Sequence, residues 1–331
     1  MRAISVSEFG PPERLRVTQV TQPMPQCGEV LVTVHAAPVN YVDLLVTGGS
    51  YQFQPPLPFV PGKGPSGVVT ALGEEVTTLQ IGDRILAMAE AGGWAEAAAV
   101  RADQCYRLPA TMSFIEAASM SLAYDTAWFA LRERARLEPG ETVLVLGASG
   151  AVGQAAVQLG RAMGARVLAG IARPERAAAA LAAGAEAVID LAAADLRDRL
   201  REQVHAVTEG RGADIVLDPL GGAVFEAAVR ALAWRGRLVV IGFAAGAIPS
   251  IKTNYLLLKN IELSGLQISD YRKRRPAQVA AAFAEIFALY EAGKLKPAAA
   301  TLFPLERAGE ALAVLRDRRI EGRAVLSPRE D

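Results

Sequence analysis

The stretch LVLGASGAVGQAAVQL, Leu144–Leu159, decides the fold. Its first residues continue ETVLVLG, an uninterrupted apolar run of strand length. Its last residues, from AVGQAAVQL on, carry small and apolar residues at helical spacing. Between them, Ala148-Ser149-Gly150-Ala151-Val152-Gly153 fills the frame of the dinucleotide fingerprint G-x-G-x-x-G, with Ala148 in the first glycine's place and Gly147 just before it. A strand before the turn and a helix after it are what that fingerprint needs. Unpaired N–H groups at the helix start, together with the helix dipole, favour a pyrophosphate there. Gly150 lets the backbone approach it, and Gly153 lets helix and strand pack closely.

The same rhythm continues outward. ARVLAGI, AVID, ADIVLD and GRLVVIG read as buried strands, alternating with helices over PERAAAALAAG, Leu196–Val207 and GAVFEAAVRALAW. Pro174 in the first turn and Gly184 past the end bound the first of these helices in the usual asymmetry. Apolar strands between helices predict a parallel sheet covered on both faces. IELSGLQ, Ile261–Gln267, is the expected last strand, and Pro276–Ala292 the helix beyond it. Residues 1 to about 123 differ: EVLVTVHA, GVVTALG and GDRILAMA are short strands broken by Gly and Pro, the pattern of a barrel-like β domain.

The second strand of the alternating region speaks to the nucleotide. An acidic residue at its end would bind the ribose hydroxyl of NAD. The sequence there is Gly170-Ile171-Ala172-Arg173-Pro174-Glu175-Arg176, without one. Arg173 can instead pair with a 2′-phosphate, assisted by Arg176, so NADPH is the expected cofactor.

Composition narrows the rest. The 331 residues suit two domains, and half are hydrophobic, enough for sizeable cores. Lys plus Arg (35) equals Asp plus Glu (35), so charge balance gives no reason to expect nucleic acid or an anionic membrane. The two cysteines, Cys27 and Cys105, build no disulfide framework, and with His35 and His205 no structural zinc site. No signal peptide or membrane-spanning run is visible, so a cytoplasmic protein is expected.

With these residues in place, the chain resembles the medium-chain dehydrogenase/reductase superfamily, in its zinc-free quinone oxidoreductase (zeta-crystallin-like) branch. The resemblance runs through APVNYVDLLVTGGSY (Ala37–Tyr51), VPGKGPSGVVTALGEEV, AYDTAWFAL, the glycine turn, GADIVLDPLGG, GRLVVIGF and EGRAVL. It implies an α/β fold: a GroES-like β-rich catalytic domain over 1–123, completed by 265–331, and a Rossmann NADPH-binding domain over 124–264. It also implies an active site in the cleft between them, reduction of a quinone or α,β-unsaturated carbonyl, and a homodimer through the last Rossmann strand.

Zinc members carry a Cys ligand at the position of Asn40 and a His-Glu pair where this chain has Lys63-Gly64. An ammonium repels the ion and glycine has no side chain, so no metal is expected. Gly64 suggests a less polar or roomier site, and Lys63 has two readings: a turn residue if it points outward, the favoured one, or a group that stabilises an enolate or binds a substrate anion if it points into the cleft. Asn40, Asp43 and Tyr51 match residues lining the site, with Asn40 as amide donor, Asp43 as orienting group and Tyr51 as proton donor or orienter. Ser149, Gly150, Ala151, Val152 and Gly153 match the pyrophosphate turn. Ile241, Gly242, Phe243, Leu266, Gln267 and Ile268 match nicotinamide-side segments. Thr126 and Arg323 also match positions near the cofactor, while Tyr41, Tyr124 and Trp128 are candidates for cleft wall. His35 reads as structural. The basic run Tyr271–Arg275 reads as a solvated loop, or as a receiver for a phosphorylated acceptor such as an acyl-CoA. That keeps enoyl thioester reduction open as an alternative, beside a non-catalytic NADPH-binding protein.

Overall fold

The structure is a computed structural model and describes residues 1–329. It divides into two compact units: Met1–Leu122 with Ser269–Phe287 and Pro297 onward, and Ala123–Ile268 with Ala288–Lys296. Among the described residues, no helix is long and apolar enough to cross a membrane.

The second unit carries a six-stranded sheet whose pairings are all parallel. In space the strands run Ala187–Asp190, Arg166–Ile171, Thr142–Leu146, Ala213–Asp218, Leu232–Val240, Glu262–Gly265. The third, second and first strands in chain order are followed by the fourth, fifth and sixth, the order of the doubly wound nucleotide-binding fold. Thr142–Leu146 is buried at every position, because helices cover both faces of a parallel sheet. Leu144, Leu168, Val216 and Leu238 meet Phe225, Leu200 and Val204 in the core of this unit. The helix over Leu196–Val207 falls where its apolar spacing predicts it. Glu262–Gly265 pairs only with Leu232–Val240 and forms one edge of the sheet.

The first unit is built on a seven-stranded, mostly antiparallel sheet. Its central strand, Glu29–Pro38, pairs with Ser66–Leu72, Ala97–Arg101 and Arg323–Ser327. Arg323–Ser327 comes from the end of the chain, so the last residues complete the sheet begun by the first. Val30, Val32, Val34, Ile85 and Trp94 fill the core, and the Trp94 indole N–H donates to the Pro38 carbonyl at 3.1 Å. His35 is half-buried and stacks on Phe114 at 4.5 Å.

Candidate functional site

In the second unit, the turn after Thr142–Leu146 is shaped by backbone geometry. Gly147 has φ +64°, a left-handed conformation that glycine adopts without strain. The left-handed turn residue thus sits one position before the first glycine's place, and Ala148 fits because it is in line with the sheet, donating its N–H to the Gly170 carbonyl. A Cβ on Gly153 would lie 2.3 Å from the Gly147 oxygen, so only glycine lets the helix lie this close to the strand.

Gly150 caps the helix Ala151–Ala162. A Cβ there would meet only the Gly147 oxygen, at 3.3 Å, which leaves the space beyond the helix start open. The N–H groups of Ala151, Val152 and Gly153 open that helix, where no preceding helical carbonyl serves them. Ser149 turns its carbonyl back to the Gln154 amide at 2.9 Å. These donors fit a pyrophosphate. Arg173 and Arg176 flank the short turn Pro174–Arg176 after the second strand, Arg173 exposed and Arg176 half-buried.

At the ends of the fourth and fifth strands, Ile241 and Gly242 donate their N–H groups to the Asp218 carbonyl, and Phe243 is exposed. Leu266 extends the edge strand by donating to the Val240 carbonyl, Gln267 follows it, and Ile268 begins the helix Ile268–Arg274. Thr126 is buried, with its N–H on the Asp125 carboxylate at 2.7 Å. Tyr124 donates to Gln158 at 3.3 Å, and Trp128 packs edge-on against Phe129.

In the first unit the polar groups converge from distant parts of the chain. Asn40 ends the central strand and caps the helix Tyr41–Thr47; its N–H donates to Asp43 at 2.8 Å, while Tyr41 is exposed. Arg323, in the C-terminal strand, donates to Asn40 Oδ1 at 2.7 Å. That bond fixes the amide orientation, with the carbonyl oxygen taken and Asn40 Nδ2 as the remaining donor. Asn40 is 6% exposed, and its Nδ2 has no hydrogen-bond partner. Burial pushes the Asp43 carboxyl up to about 7, against the Asn40 N–H and the nearby Lys63 and Arg323 charges, which pull it down.

Lys63 is not an outward turn residue: it is 6% exposed and ion-paired with Glu90. Its Nζ lies 5.6 Å from the Tyr51 ring centroid. Glu90 also accepts from Arg272 at 3.0 Å and from the Ser269 hydroxyl at 3.0 Å. Burial alone would raise the Glu90 carboxyl, but Arg272 and Lys63 outweigh it and hold it at about 2. The basic run is therefore not a solvated loop. Tyr271–Arg274 belong to the helix Ile268–Arg274, with Arg272 2% exposed while Lys273, Arg274 and Arg275 are exposed. Gly64 adds no room either: its φ is +70°, and a Cβ would lie 2.7 Å from Leu122 Cδ1 and 2.9 Å from Ser121 Cβ. Among the described residues, no three His, Cys, Asp or Glu converge where they would hold a metal ion.

A family described as "Alcohol dehydrogenase GroES-like domain" matches residues 26–110, and one described as "Zinc-binding dehydrogenase" matches residues 151–285. The chain is 34% identical to the quinone oxidoreductase-like protein 2 homolog of Nematostella vectensis, across 99% of this chain and 89% of the relative. It is 35% identical to the quinone oxidoreductase of Mus musculus, across 94% of this chain and 92% of that one. The chain belongs to the quinone oxidoreductases of the medium-chain dehydrogenase/reductase superfamily. The structure of Escherichia coli quinone oxidoreductase complexed with NADPH superposes with a TM-score of 0.91 at 28% identity, covering 99% of this chain and 100% of that one.

The sequence pointed to the glycine turn and to Asn40, Asp43 and Tyr51; in this quinone oxidoreductase fold Asn40 bonds Asp43, and Tyr51 lies beside Lys63. It missed the partners Glu90, Ser269 and Arg272, and the buried place of Lys63. It also passed over Asp218, a buried carboxylate whose Oδ1 takes the N–H groups of Leu220 and Gly221 while Oδ2 has no partner. Burial raises that carboxyl. Its position at a strand end before Pro219 and two glycines was the available signal.

Proposed function

We propose that this protein is a zinc-independent, NADPH-dependent reductase of a quinone or α,β-unsaturated carbonyl. The observation that carries the reading is the buried, unpartnered amide donor of Asn40, held by Arg323 and backed by Asp43. NADPH supplies a hydride, and acceptors of this class are electrophilic enough to take it without a Lewis acid.

Residues 124–264 are assigned to nucleotide binding, and 1–123 with 265–331 to catalysis. The helix-start N–H groups of Ala151, Val152 and Gly153 hold the pyrophosphate beside Ser149 and Gly150. Arg173 and Arg176 hold the 2′-phosphate. Thr126, Ile241, Gly242, Phe243, Leu266, Gln267 and Ile268 surround the nicotinamide end. Asn40 Nδ2 donates to the acceptor oxygen, where negative charge grows during reduction. Tyr51 orients the acceptor or gives its phenolic proton to that oxygen. Arg323 acts on this site through Asn40, whose Oδ1 it holds.

The thioester alternative loses one expected phosphate ligand, because Arg272 is buried against Glu90. Lys273, Arg274 and Arg275 remain exposed for it. A homodimer through the edge strand Glu262–Gly265 fits the exposure of Leu257, Leu258 and Leu263 beside it. A cytoplasmic location fits two unpaired cysteines.

The test is NADPH oxidation followed by absorbance, with a panel of quinones, enones and enoyl thioesters, with and without a chelator. Turnover of quinones or enones that survives chelation is expected. Loss of activity with the chelator would sink zinc independence, and no turnover of any acceptor would sink the enzyme reading. Sedimentation of the same sample reads the oligomeric state; a monomer would refute the dimer.

A further inference from the structure

We propose that the Asp218 carboxylate stabilises the positively charged, oxidised nicotinamide ring relative to the neutral, reduced one. This rests on the reading that the second unit binds NADPH.

Asp218 is the last residue of the fourth strand, Ala213–Asp218, which pairs with the first, Thr142–Leu146. The strand order reverses between these two. In a doubly wound sheet a dinucleotide lies across the strand ends at that point, one mononucleotide on each half. The glycine turn and Arg173 follow the first and second strands and suit the phosphates of the adenosine half. The fourth to sixth strands are left for the nicotinamide half, and Asp218 stands at the end of the fourth. Its backbone carbonyl accepts from Ile241 and Gly242, just beyond the fifth. Leu220, two residues on, lies against the glycine turn: a Cβ on Gly147 would stand 3.1 Å from its Cδ2.

Nothing in the packing uses the charge of Asp218. Oδ1 takes the Leu220 and Gly221 N–H groups at 2.8 and 2.9 Å, work that a neutral amide oxygen does as well. Oδ2 has no hydrogen-bond partner, and the residue is 0% exposed. The segments around it, Gly147–Gly153, Pro219–Gly222 and Ile241–Ile251, carry no charged side chain. Among the described residues, no cation pairs with Asp218; only the two backbone N–H groups oppose the burial that raises its carboxyl. A carboxylate away from water and without a counter-charge is unfavourable, and a cation brought to these strand ends offsets that. Hydride transfer breaks one C–H bond of the nicotinamide and moves the hydrogen with its electron pair to an acceptor carbon. The ring is left with one positive charge, and the acceptor oxygen takes the negative charge and then a proton. The carboxylate therefore favours the ring as it stands after transfer and makes bound NADPH a stronger hydride donor.

The test is isothermal titration of the full-length protein with NADP+ and with NADPH at mildly alkaline pH, in the wild type and in Asp218→Asn. The amide keeps an acceptor for Leu220 and Gly221 and loses the charge. The readout is the ratio of the two affinities, in which the shared phosphates cancel. Asp218→Asn is expected to weaken NADP+ by about tenfold and NADPH by less than about twofold, the scale of one attraction between unit charges in a partly shielded interior. An equal change in both affinities, or a larger loss of NADPH, would mean a hydrogen-bonding role alone and overturn the proposal. Should the variant not fold, the wild type decides. Its affinity ratio of NADP+ to NADPH is expected to fall as pH is lowered and the carboxyl takes up its proton. A ratio unchanged from mildly alkaline pH to the onset of acid unfolding overturns the proposal. These outcomes overturn this inference alone, since both dinucleotides still bind. Binding of neither overturns the nucleotide-binding reading, and the inference with it.

Discussion

The glycine turn of the second unit and the polar cluster of the first are built in opposite ways. The turn lies within sixteen consecutive residues, Leu144–Leu159, and works through backbone N–H groups and missing Cβ atoms. The cluster draws Asn40, Tyr51, Lys63, Glu90, Arg272 and Arg323 from across the chain and works through buried charge. A backbone site is sensitive to added volume and nearly indifferent to pH. A side-chain site built from buried ions tolerates small changes of volume but depends on every charge that faces it.

The largest effect expected from this contrast is on stability. An unfolded Asp43 ionises near the ordinary 3.8, whereas in the fold it keeps its proton to about 7. Unfolding therefore releases a proton between these values, so stability falls as pH rises through that window and levels off above it. Asp43→Asn is expected to remove this slope, worth up to about 4 kcal/mol, in urea unfolding at mildly acidic and mildly alkaline pH. Parallel pH profiles for variant and wild type would show that the cluster is not charge-strained. Glu90 runs the other way: its stabilisation is present above the ordinary 4.5 and is lost as pH falls toward 2.

Next comes Gly153→Ala, which places a methyl group against the Gly147 carbonyl. Overpacking of this kind costs about 1–3 kcal/mol, so NADPH affinity is expected to drop by up to about 100-fold in a fluorescence titration. Unchanged affinity would break the claim that the turn works through close backbone packing. The smallest effect belongs to a side chain proposed for the nucleotide site. Arg173→Ala is expected to weaken NADPH by about tenfold relative to NADH, the worth of a charged contact at an exposed residue. An unchanged NADPH/NADH ratio, read by isothermal titration, would remove Arg173 from the 2′-phosphate.

Legibility followed the same divide. The parallel strands, the helix Leu196–Val207 and the turn at Gly147–Gly153 could be read because each is governed by neighbours within a few residues. Asn40 and Asp43 were named through the family resemblance, and the structure adds that they sit at both ends of one short capping turn. Lys63 was misread as an outward turn residue. A lysine between two glycines looks like a solvated turn, and its half-buried partner Glu90 is 27 residues away. The basic run after Tyr271 was misread in the same way, because nothing near Arg272 in sequence announces a carboxylate 182 residues earlier. Gly64 suggested empty space, whereas Ser121 and Leu122 from a later helix fill it.

The sequence by itself determined a doubly wound parallel-sheet unit, the position of its glycine turn and a β-rich companion. Hydrophobic period, glycine spacing and capping chemistry are short-range signals that the chain carries openly. Only the tertiary structure decided that Arg323 orients the Asn40 amide, that Glu90 gathers Lys63, Ser269 and Arg272, and that Asp43 is buried beside them. Those are sums over groups brought together by folding, and burial sets their weight by removing the water that would otherwise screen them.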